Sequence, residues 1–205
     1  MPVRQRLPRA FYCRPTLHVA EDLIGKVVVH RARGRAPVAG AIVEVEAYIG
    51  ESDPACHAAP GPTGRNAPLY GPPGISYVYL NYGMHYLLNA VTEPEGSPAA
   101  VLIRALAPLE GLDTMRRRRG GRVRVPDDAA LARGPGNLGR AFGVTLRQNR
   151  MDLVDSNLGI EDWGLTMGPL SWGPRIGIRV GADRPWRCWV TGHPAVSGRR
   201  GPATP

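Results

Sequence analysis

Apolar and polar residues alternate at period two in the segment AIVEVEAYIG, residues 41–50. This alternation predicts a β-strand with two distinct faces, and it places Glu44, Glu46 and Tyr48 together on one of them. Such a face is either the solvent-exposed polar side of a sheet or the location of reactive groups. The pattern alone leaves both interpretations open.

Patterns elsewhere in the chain predict mostly further strands. A short helix that ends at Gly25, followed by a strand over residues 26–30, is expected from the segment LHVAEDLIGKVVVH. Five other segments have the composition of strands: SYVYL, MHYLLNAV, AAVLIRAL, PRIGIRV and PWRCWVTG.

Two stretches in the second half of the chain predict helices. One helix is expected over APLEGLDTM, and it runs into an arginine block at residues 116–119. We expect the segment RRRRGGRVRVPDD to be a solvated loop. The segment DAALARGPGNLGRAFGV predicts two helices that are separated by a Gly-Pro-Gly turn.

Residues 50–75 form a long segment that is punctuated by glycine and proline. A loop of this length inside a compact domain is usually functional or disordered. Because it follows the alternating strand directly, it brings His57 within about a dozen residues of Glu46 and Tyr48. A carboxylate beside an imidazole can position and deprotonate a water molecule.

The composition indicates one basic, loop-rich domain. A chain of 205 residues is long enough for a single substantial core, and its 26 Gly and 21 Pro predict many loops. The net charge of +9 favours a polyanionic partner, most simply nucleic acid. A coding preference for arginine would give part of the same charge. Lys26 is the single lysine of the chain.

Cysteine spacing and motif content argue against several other classes of protein. Cys13, Cys56 and Cys188 form no CxxC pair, which argues against a disulfide scaffold and a closed zinc site. Asp53, Cys56 and His57 could ligate a metal by type, but their spacing matches no zinc signature, and no metal is expected. The chain has no GxSxG, GxxxxGK[ST] or HExxH motif. Without a secretory signal or a membrane-length apolar run, we expect a cytoplasmic, nucleoid-associated protein.

Four of the seven tyrosines lie in the segment SYVYLNYGMHYLLN: Tyr77, Tyr79, Tyr82 and Tyr86. Tyr77 and Tyr79 share a strand face, whereas Tyr82 falls in the turn NYG with its ring directed outward. A ring at a turn tip could enter a base stack, and a ring on the strand could stack on an extruded base. A hairpin held by cross-strand aromatic pairs explains the same residues.

The chain also carries uncommon motifs in a fixed order: VEVEAYIGESDPACHA, GPTGRN, YGPPGISYVYLNYGMHYLLNAV, AAVLIRALAPLEG and LARGPGNLGRAFGV. Over residues 10–195 this order resembles the alkyladenine (3-methyladenine) DNA glycosylase family. The resemblance implies an α+β fold: a single mixed domain, loop-rich, with a curved antiparallel β-sheet core flanked by short helices. It implies a monofunctional enzyme of base excision repair that flips a damaged purine out of double-stranded DNA and hydrolyses its N-glycosidic bond without a cofactor. The implied lesions are 3-methyladenine, 7-methylguanine, hypoxanthine and ethenoadenine, and a monomer is expected.

The resemblance also implies roles for individual residues. Glu46 corresponds to the general base that activates the attacking water, and Arg104 to an arginine that contacts this water or the sugar-phosphate. Tyr48 and His57 correspond to residues that flank the flipped base. Tyr79 corresponds to the aromatic residue on the opposite side of the pocket.

Two further roles concern selection of the nucleotide. Tyr82 corresponds to the intercalating residue that fills the gap in the duplex, and Asn89 to a pocket-wall amide that obstructs the amino group of guanine. Tyr77 and Tyr86 are interpreted as packing residues. The domain is expected to cover residues 1–205, with flexible ends at about residues 1–9 and 196–205.

Two rival functions stay open at this stage. In the first, the chain is a non-catalytic nucleic-acid-binding module, and Glu44 and Glu46 form a polar strand face. In the second, it is a bifunctional glycosylase and lyase that attacks the sugar with an amine, for which Lys26 or an N-terminal Pro2 would be required.

Overall fold

The described residues of the computed structural model, 4–32, 34–120 and 127–198, contain nine β-strands and four short α-helices. The strands are β1 (Gln5–Arg6), β2 (Val27–His30), β3 (Val38–Ile49), β4 (Ser76–Asn81), β5 (His85–Val91), β6 (Ala99–Glu110), β7 (Leu158–Asp162), β8 (Leu170–Gly173) and β9 (Arg187–Val190). The helices are α1 (Arg9–Tyr12), α2 (Thr16–Leu23), α3 (Leu112–Arg119) and α4 (Pro135–Phe142). Short 3₁₀ helices lie at Ala67–Tyr70, Asp128–Ala130 and Leu146–Gln148.

The nine strands form one curled antiparallel sheet. Its main path runs β1-β7-β2-β3-β6-β5-β4, and β9 pairs with both β3 and β8. Helices and loops cover this sheet, so the α+β class and the antiparallel core are confirmed. Strands β3 and β6, each 12 residues long, occupy the centre and are buried along most of their length.

The pairing of β3 with β6 is irregular beside the two glutamates. Ile42 pairs with Leu106 and Val45 with Ile103, while Glu44 pairs with Ala105. The register therefore skips one residue on each strand, Val43 on β3 and Arg104 on β6. A bulge bends a strand and changes the direction of a side chain. Here it accompanies the approach of Arg104 to the glutamates of β3.

Helix α4 lies unusually close to β5. At Gly139 a Cβ atom would come within 2.1 Å of the carbonyl oxygen of Tyr86, so only glycine permits this approach. Pro135 occupies the first turn of the helix, where its missing N–H is tolerated. This packing brings the amino end of α4 to the edge of the sheet that carries β4 and β5.

Four local predictions were wrong. The helix expected over APLEGLDTM begins only at Leu112, because residues 107–110 continue strand β6 in its pairing with β3. The segment PRIGIRV is not a strand. The backbone N–H of Ile176 donates to the Glu46 carboxylate instead of to a neighbouring strand, and the guanidinium of Arg175 donates to the Asp53 carboxylate. The first predicted helix of DAALARGPGNLGRAFGV is only a 3₁₀ turn, and the expected Gly-Pro-Gly turn is the start of α4. The arginine block is helical rather than a loop.

Acidic neighbours explain the helical conformation of the arginine block. Arg116 forms ion pairs of 2.6 Å with both Asp113 and Asp128. Four arginines in the last turn of α3 also interact favourably with the negative end of the helix dipole. Residues 121–126 of the predicted loop lie outside the described residues.

Both ends of the described chain pack against the domain. Leu7 is buried near the beginning, and Val196 is buried near the end. Residues 1–3 and 199–205, which complete the expected flexible ends, lie outside the described residues. Within the described part of the chain, no helix is long and apolar enough to cross a membrane.

Candidate active site

A cavity of about 350 Å³ opens between the centre of the sheet, the β4–β5 hairpin and the amino end of α4. Its walls include six of the seven residues to which a functional role is given above: Tyr48, His57, Tyr79, Tyr82, Asn89 and Arg104. The seventh, Glu46, is fully buried and lies behind Tyr48 and Arg104. Residues separated by more than 50 positions in sequence therefore meet at one site.

The Glu46 carboxylate is held by three groups. Its Oε1 atom accepts a hydrogen bond of 2.6 Å from the Ile176 N–H. Its Oε2 atom accepts a hydrogen bond of 2.9 Å from the Tyr48 hydroxyl and lies 3.2 Å from Arg104 Nη1. A carboxylate offers about four lone-pair positions. Two of these contacts are on Oε2 and one is on Oε1, so the position left for one further donor belongs to Oε1, beside Ile176, whose side chain lines the cavity.

Glu44 has a different environment from Glu46 on the same strand face. Its Oε1 atom accepts hydrogen bonds from Arg104 Nε at 2.9 Å and from Arg187 Nε at 2.7 Å. The Ser197 hydroxyl and N–H bind the carboxylate at 2.9 and 2.7 Å. The interpretation of Glu44 and Glu46 as a solvent-exposed polar face was wrong, since both are fully buried.

Arg104 links the two glutamates. Burial by itself would lower the pKa of Arg104, but the adjacent carboxylates of Glu46 and Glu44 raise this pKa above its ordinary value. The guanidinium is therefore a permanent cation at the floor of the cavity. It offsets buried negative charge that would otherwise be strongly destabilising.

Aromatic rings form the walls of the cavity. The His57 ring centroid lies 4.5 Å from that of Tyr79, and the Tyr77 and Tyr79 centroids are 5.3 Å apart. Nδ1 of His57 is 2.8 Å from the Tyr77 hydroxyl oxygen. Tyr77 thus orients His57 in addition to packing, which the sequence interpretation missed.

The surroundings of these aromatic side chains also determine their protonation states. Burial first, and then the nearby charge of Arg65, lower the pKa of His57 below its ordinary value of 6.5. Burial raises the pKa of both Tyr48 and Tyr79, so that their hydroxyls stay protonated at neutral pH. The cavity therefore presents neutral rings, with the charges of Glu46 and Arg104 confined to its floor.

Asn89 lies on a strand of the β4–β5 hairpin, and Tyr82 lies in its turn. Asn89 is buried on β5, and its Nδ2 donates a hydrogen bond of 2.9 Å to the Tyr77 carbonyl oxygen. Tyr82 lies in the β4–β5 turn with φ of 48°, and 84% of its surface is exposed. The prediction of an outward ring at the turn tip is confirmed, as is the shared face of Tyr77 and Tyr79.

Other candidate groups lie elsewhere or have structural partners. Lys26 Nζ forms an ion pair of 2.6 Å with Asp162 and is absent from the cavity walls. Asp53 is bound by two N–H groups of Arg175. Among the described residues, no group of three His, Cys, Asp or Glu side chains is placed to hold a metal ion. Pro2 lies outside the described residues.

The same arrangement of motifs is found in known proteins. Residues 10–194 match the family described as methylpurine-DNA glycosylase (MPG). The chain belongs to this family. It is therefore a DNA glycosylase, a hydrolase that acts on N-glycosidic bonds, and its activity belongs to DNA repair.

Relatives from several bacteria cover nearly the whole chain, and 3-methyladenine DNA glycosylase is part of each of their names. A Burkholderia lata protein is 48% identical over 195 residues, which are 94% of this chain and 91% of that protein. A Chlorobaculum parvum protein is 43% identical over 197 residues, 96% of this chain and 92% of the relative. A Chlorobium phaeobacteroides protein is 41% identical over 202 residues, 98% of this chain and 100% of the relative.

Proposed function

We propose that this DNA glycosylase excises alkylated or deaminated purines, flipped out of duplex DNA, by direct hydrolysis with Glu46 as the general base. The observation that carries the proposal is the Glu46 carboxylate, held behind the cavity floor between the Tyr48 hydroxyl and Arg104. A purine in the cavity would present its glycosidic bond towards this floor. The names of the relatives support alkylated adenine as one substrate.

The cavity walls suit a damaged purine. Tyr48, Tyr79 and His57 offer aromatic surfaces on which a planar base can stack, a contact worth roughly 1–3 kcal/mol per base. A purine alkylated at a ring nitrogen carries positive charge, and the faces of tyrosine rings attract cations. Damaged bases also require the least energy to unstack, which contributes to selection.

The proposed reaction places the water between Glu46 and the sugar. As the bond from C1′ to the purine breaks, the electron pair leaves with the base, and positive charge develops on the sugar. The water oxygen forms the new bond to C1′, and its proton passes to Glu46. An alkylated cationic purine leaves as a neutral base, so it needs no proton donor.

Two residues of the hairpin complete the proposal. Tyr82 would enter the space that the flipped nucleotide leaves in the duplex, since its ring is exposed at the turn tip. Asn89 would obstruct the amino group of guanine, because its hydrogen bond to the Tyr77 carbonyl prevents the side chain from swinging away.

The direct test is base release by the wild-type protein. Duplexes that contain single 3-methyladenine, 7-methylguanine, hypoxanthine or ethenoadenine nucleotides are incubated with the protein, and free base is measured by chromatography. We expect release from at least one of them, no release from the undamaged duplex, and strand cleavage only after alkali treatment. Release of no purine would contradict the proposed substrates. Borohydride-dependent crosslinking to DNA would indicate an amine nucleophile and contradict direct hydrolysis.

The lowered pKa of His57 leads to a prediction for pH dependence. His57 is neutral near pH 7 and becomes cationic only when the pH falls below 6.5. The added charge would repel a cationic purine but not a neutral one. Acidification below 6.5 should therefore reduce release of 3-methyladenine relative to ethenoadenine. Single-turnover rates from about pH 5 to about pH 8 test this expectation. The His57→Gln variant should lose the difference, and identical profiles for both purines in the wild type would contradict it.

A further inference from the structure

A buried ion pair lies directly behind the cavity, formed by Asp53 of the long loop and Arg175 of the segment after β8. Arg175 Nη1 donates to Asp53 Oδ2 at 2.5 Å, and Arg175 Nη2 donates to Asp53 Oδ1 at 2.8 Å. Both side chains are fully buried. Neither residue lines the cavity, and the proposed chemistry does not use them.

The guanidinium of Arg175 supports the ring of Tyr48 from behind. Its Cζ atom lies 4.6 Å from the centroid of the Tyr48 ring and 5.1 Å from that of Trp186. Arg175 Nη1 also donates to the carbonyl oxygen of Ala47 at 3.0 Å, which fixes the backbone immediately before Tyr48. The guanidinium of Arg175 therefore contacts both the ring of Tyr48 and the strand on which Tyr48 lies.

The peptide bond that follows Arg175 reaches the proposed general base. Ile176, whose N–H donates to Glu46 Oε1, is the next residue in the chain, and its side chain lines the cavity. Because the Arg175 side chain is anchored to Asp53, the position of this N–H depends on the same ion pair. Asp53 in turn accepts a hydrogen bond of 3.2 Å from the Ala55 N–H, two residues before His57.

We infer that the Asp53–Arg175 ion pair is a positioning unit of the active site, which sets the ring plane of Tyr48 and the orientation of the Glu46 carboxylate. This inference rests on the proposed function of Glu46 and Tyr48. The planar two-pronged geometry of the guanidinium is essential to it. A lysine could keep the charge opposite Asp53 but could neither bind both oxygens in one plane nor stack on Tyr48.

The test compares rate with stability in the Arg175→Lys variant. Because the buried charge keeps its partner, we expect a folded protein whose melting temperature is close to that of the wild type. Its single-turnover release of ethenoadenine should fall by about 100-fold, the loss typical of a misplacement of about 1 Å. Binding to undamaged duplex should stay within about twofold, since Arg175 is buried and cannot contact DNA. The fluorescence of bound ethenoadenine should also change, because it reports stacking on Tyr48.

Arg184 provides a matched control. It also packs on Trp186, at 4.6 Å, and lies 3.9 Å from Asp53 Oδ1, but it is partly exposed. Among the described residues, its side chain contacts Trp186, Asp53 and the Ser52 carbonyl oxygen, and neither Tyr48 nor Glu46. The Arg184→Lys variant should therefore release ethenoadenine at the wild-type rate. An equal loss in both variants would indicate a general effect of packing and overturn the inference.

The remaining outcomes are also decisive. Wild-type release by a folded Arg175→Lys variant would overturn the inference and leave the proposed function intact. If the wild type releases no purine, the proposed function itself fails. Should Arg175→Lys not fold, the Asp53→Asn variant decides, because it keeps the guanidinium in place but weakens its anchor. We expect it to lose rate and to change ethenoadenine fluorescence, and a wild-type rate would overturn the inference.

Discussion

Replacement of Glu46 by glutamine should reduce base release from a lesion duplex by roughly 10²- to 10⁴-fold, the usual contribution of a general base. The amide keeps the size of the side chain and can still accept from the Ile176 N–H, but it cannot take a proton from water. Single-turnover release of ethenoadenine measures the rate, and a gel-shift titration with the same duplex measures affinity. We expect affinity to change by no more than a few-fold.

Glu44→Gln is the matched control for this substitution. Glu44 shares the strand face and the Arg104 partner, but its carboxylate is bound by Arg187 and Ser197 instead of Tyr48. Breaking a buried ion pair of this kind costs about 3–5 kcal/mol of stability. We therefore expect Glu44→Gln to lower the melting temperature, with a smaller loss of rate in the folded protein. A Glu46→Gln variant that releases base at the wild-type rate would eliminate Glu46 as the general base.

Removal of the Tyr82 ring should weaken binding to a lesion duplex. A stacked ring contributes roughly 1–3 kcal/mol, which corresponds to an increase in Kd of about 5- to 150-fold for Tyr82→Ala. The effect should be much smaller for the same sequence as a single strand, because an unpaired strand has no gap to fill. Fluorescence anisotropy with both DNAs measures the two values of Kd.

Tyr82→Phe separates the ring from its hydroxyl. Within the described part of the chain the hydroxyl makes no hydrogen bond, and the side chain is largely exposed, so phenylalanine should retain nearly all of the affinity. Equal weakening on duplex and single strand in Tyr82→Ala would contradict intercalation and indicate ordinary surface stacking. Because Tyr82 is at a turn with positive φ, melting temperatures should accompany the binding data for each variant.

The fold was predictable where local patterns are strong. Period-two alternation identified β3, and the tyrosine-rich stretches identified β4 and β5 with the turn between them. The failures occur where contacts with groups distant in sequence override the local pattern. The pattern around Ile176 resembles a strand, but the Ile176 N–H donates to the Glu46 carboxylate, and the neighbouring Arg175 guanidinium binds Asp53, each more than 120 positions away in sequence.

The candidate site was predictable mainly through resemblance. Local reasoning placed Glu46, Tyr48 and His57 near one another but could not decide whether the strand face is buried. The decisive partner, Arg104, comes from a strand 58 positions later and approaches through the irregular pairing. The role of Tyr77 was missed because a hydroxyl that orients a histidine has no distinct sequence pattern. Arg187 and Ser197 were missed for the same reason, since their contacts with Glu44 form only in the folded chain.

The two residues skipped in the β3–β6 ladder, one on each strand, compensate for each other in the strand register. Ile42 pairs with Leu106 on one side of the irregularity and Val45 with Ile103 on the other, so the original alignment is restored within three positions. A single insertion or deletion in either strand would remove this compensation. Beyond that point, every side chain would move to the opposite face of its strand. Evolution can therefore exchange residues around Glu46 one at a time, but any change of length here must be matched on the partner strand.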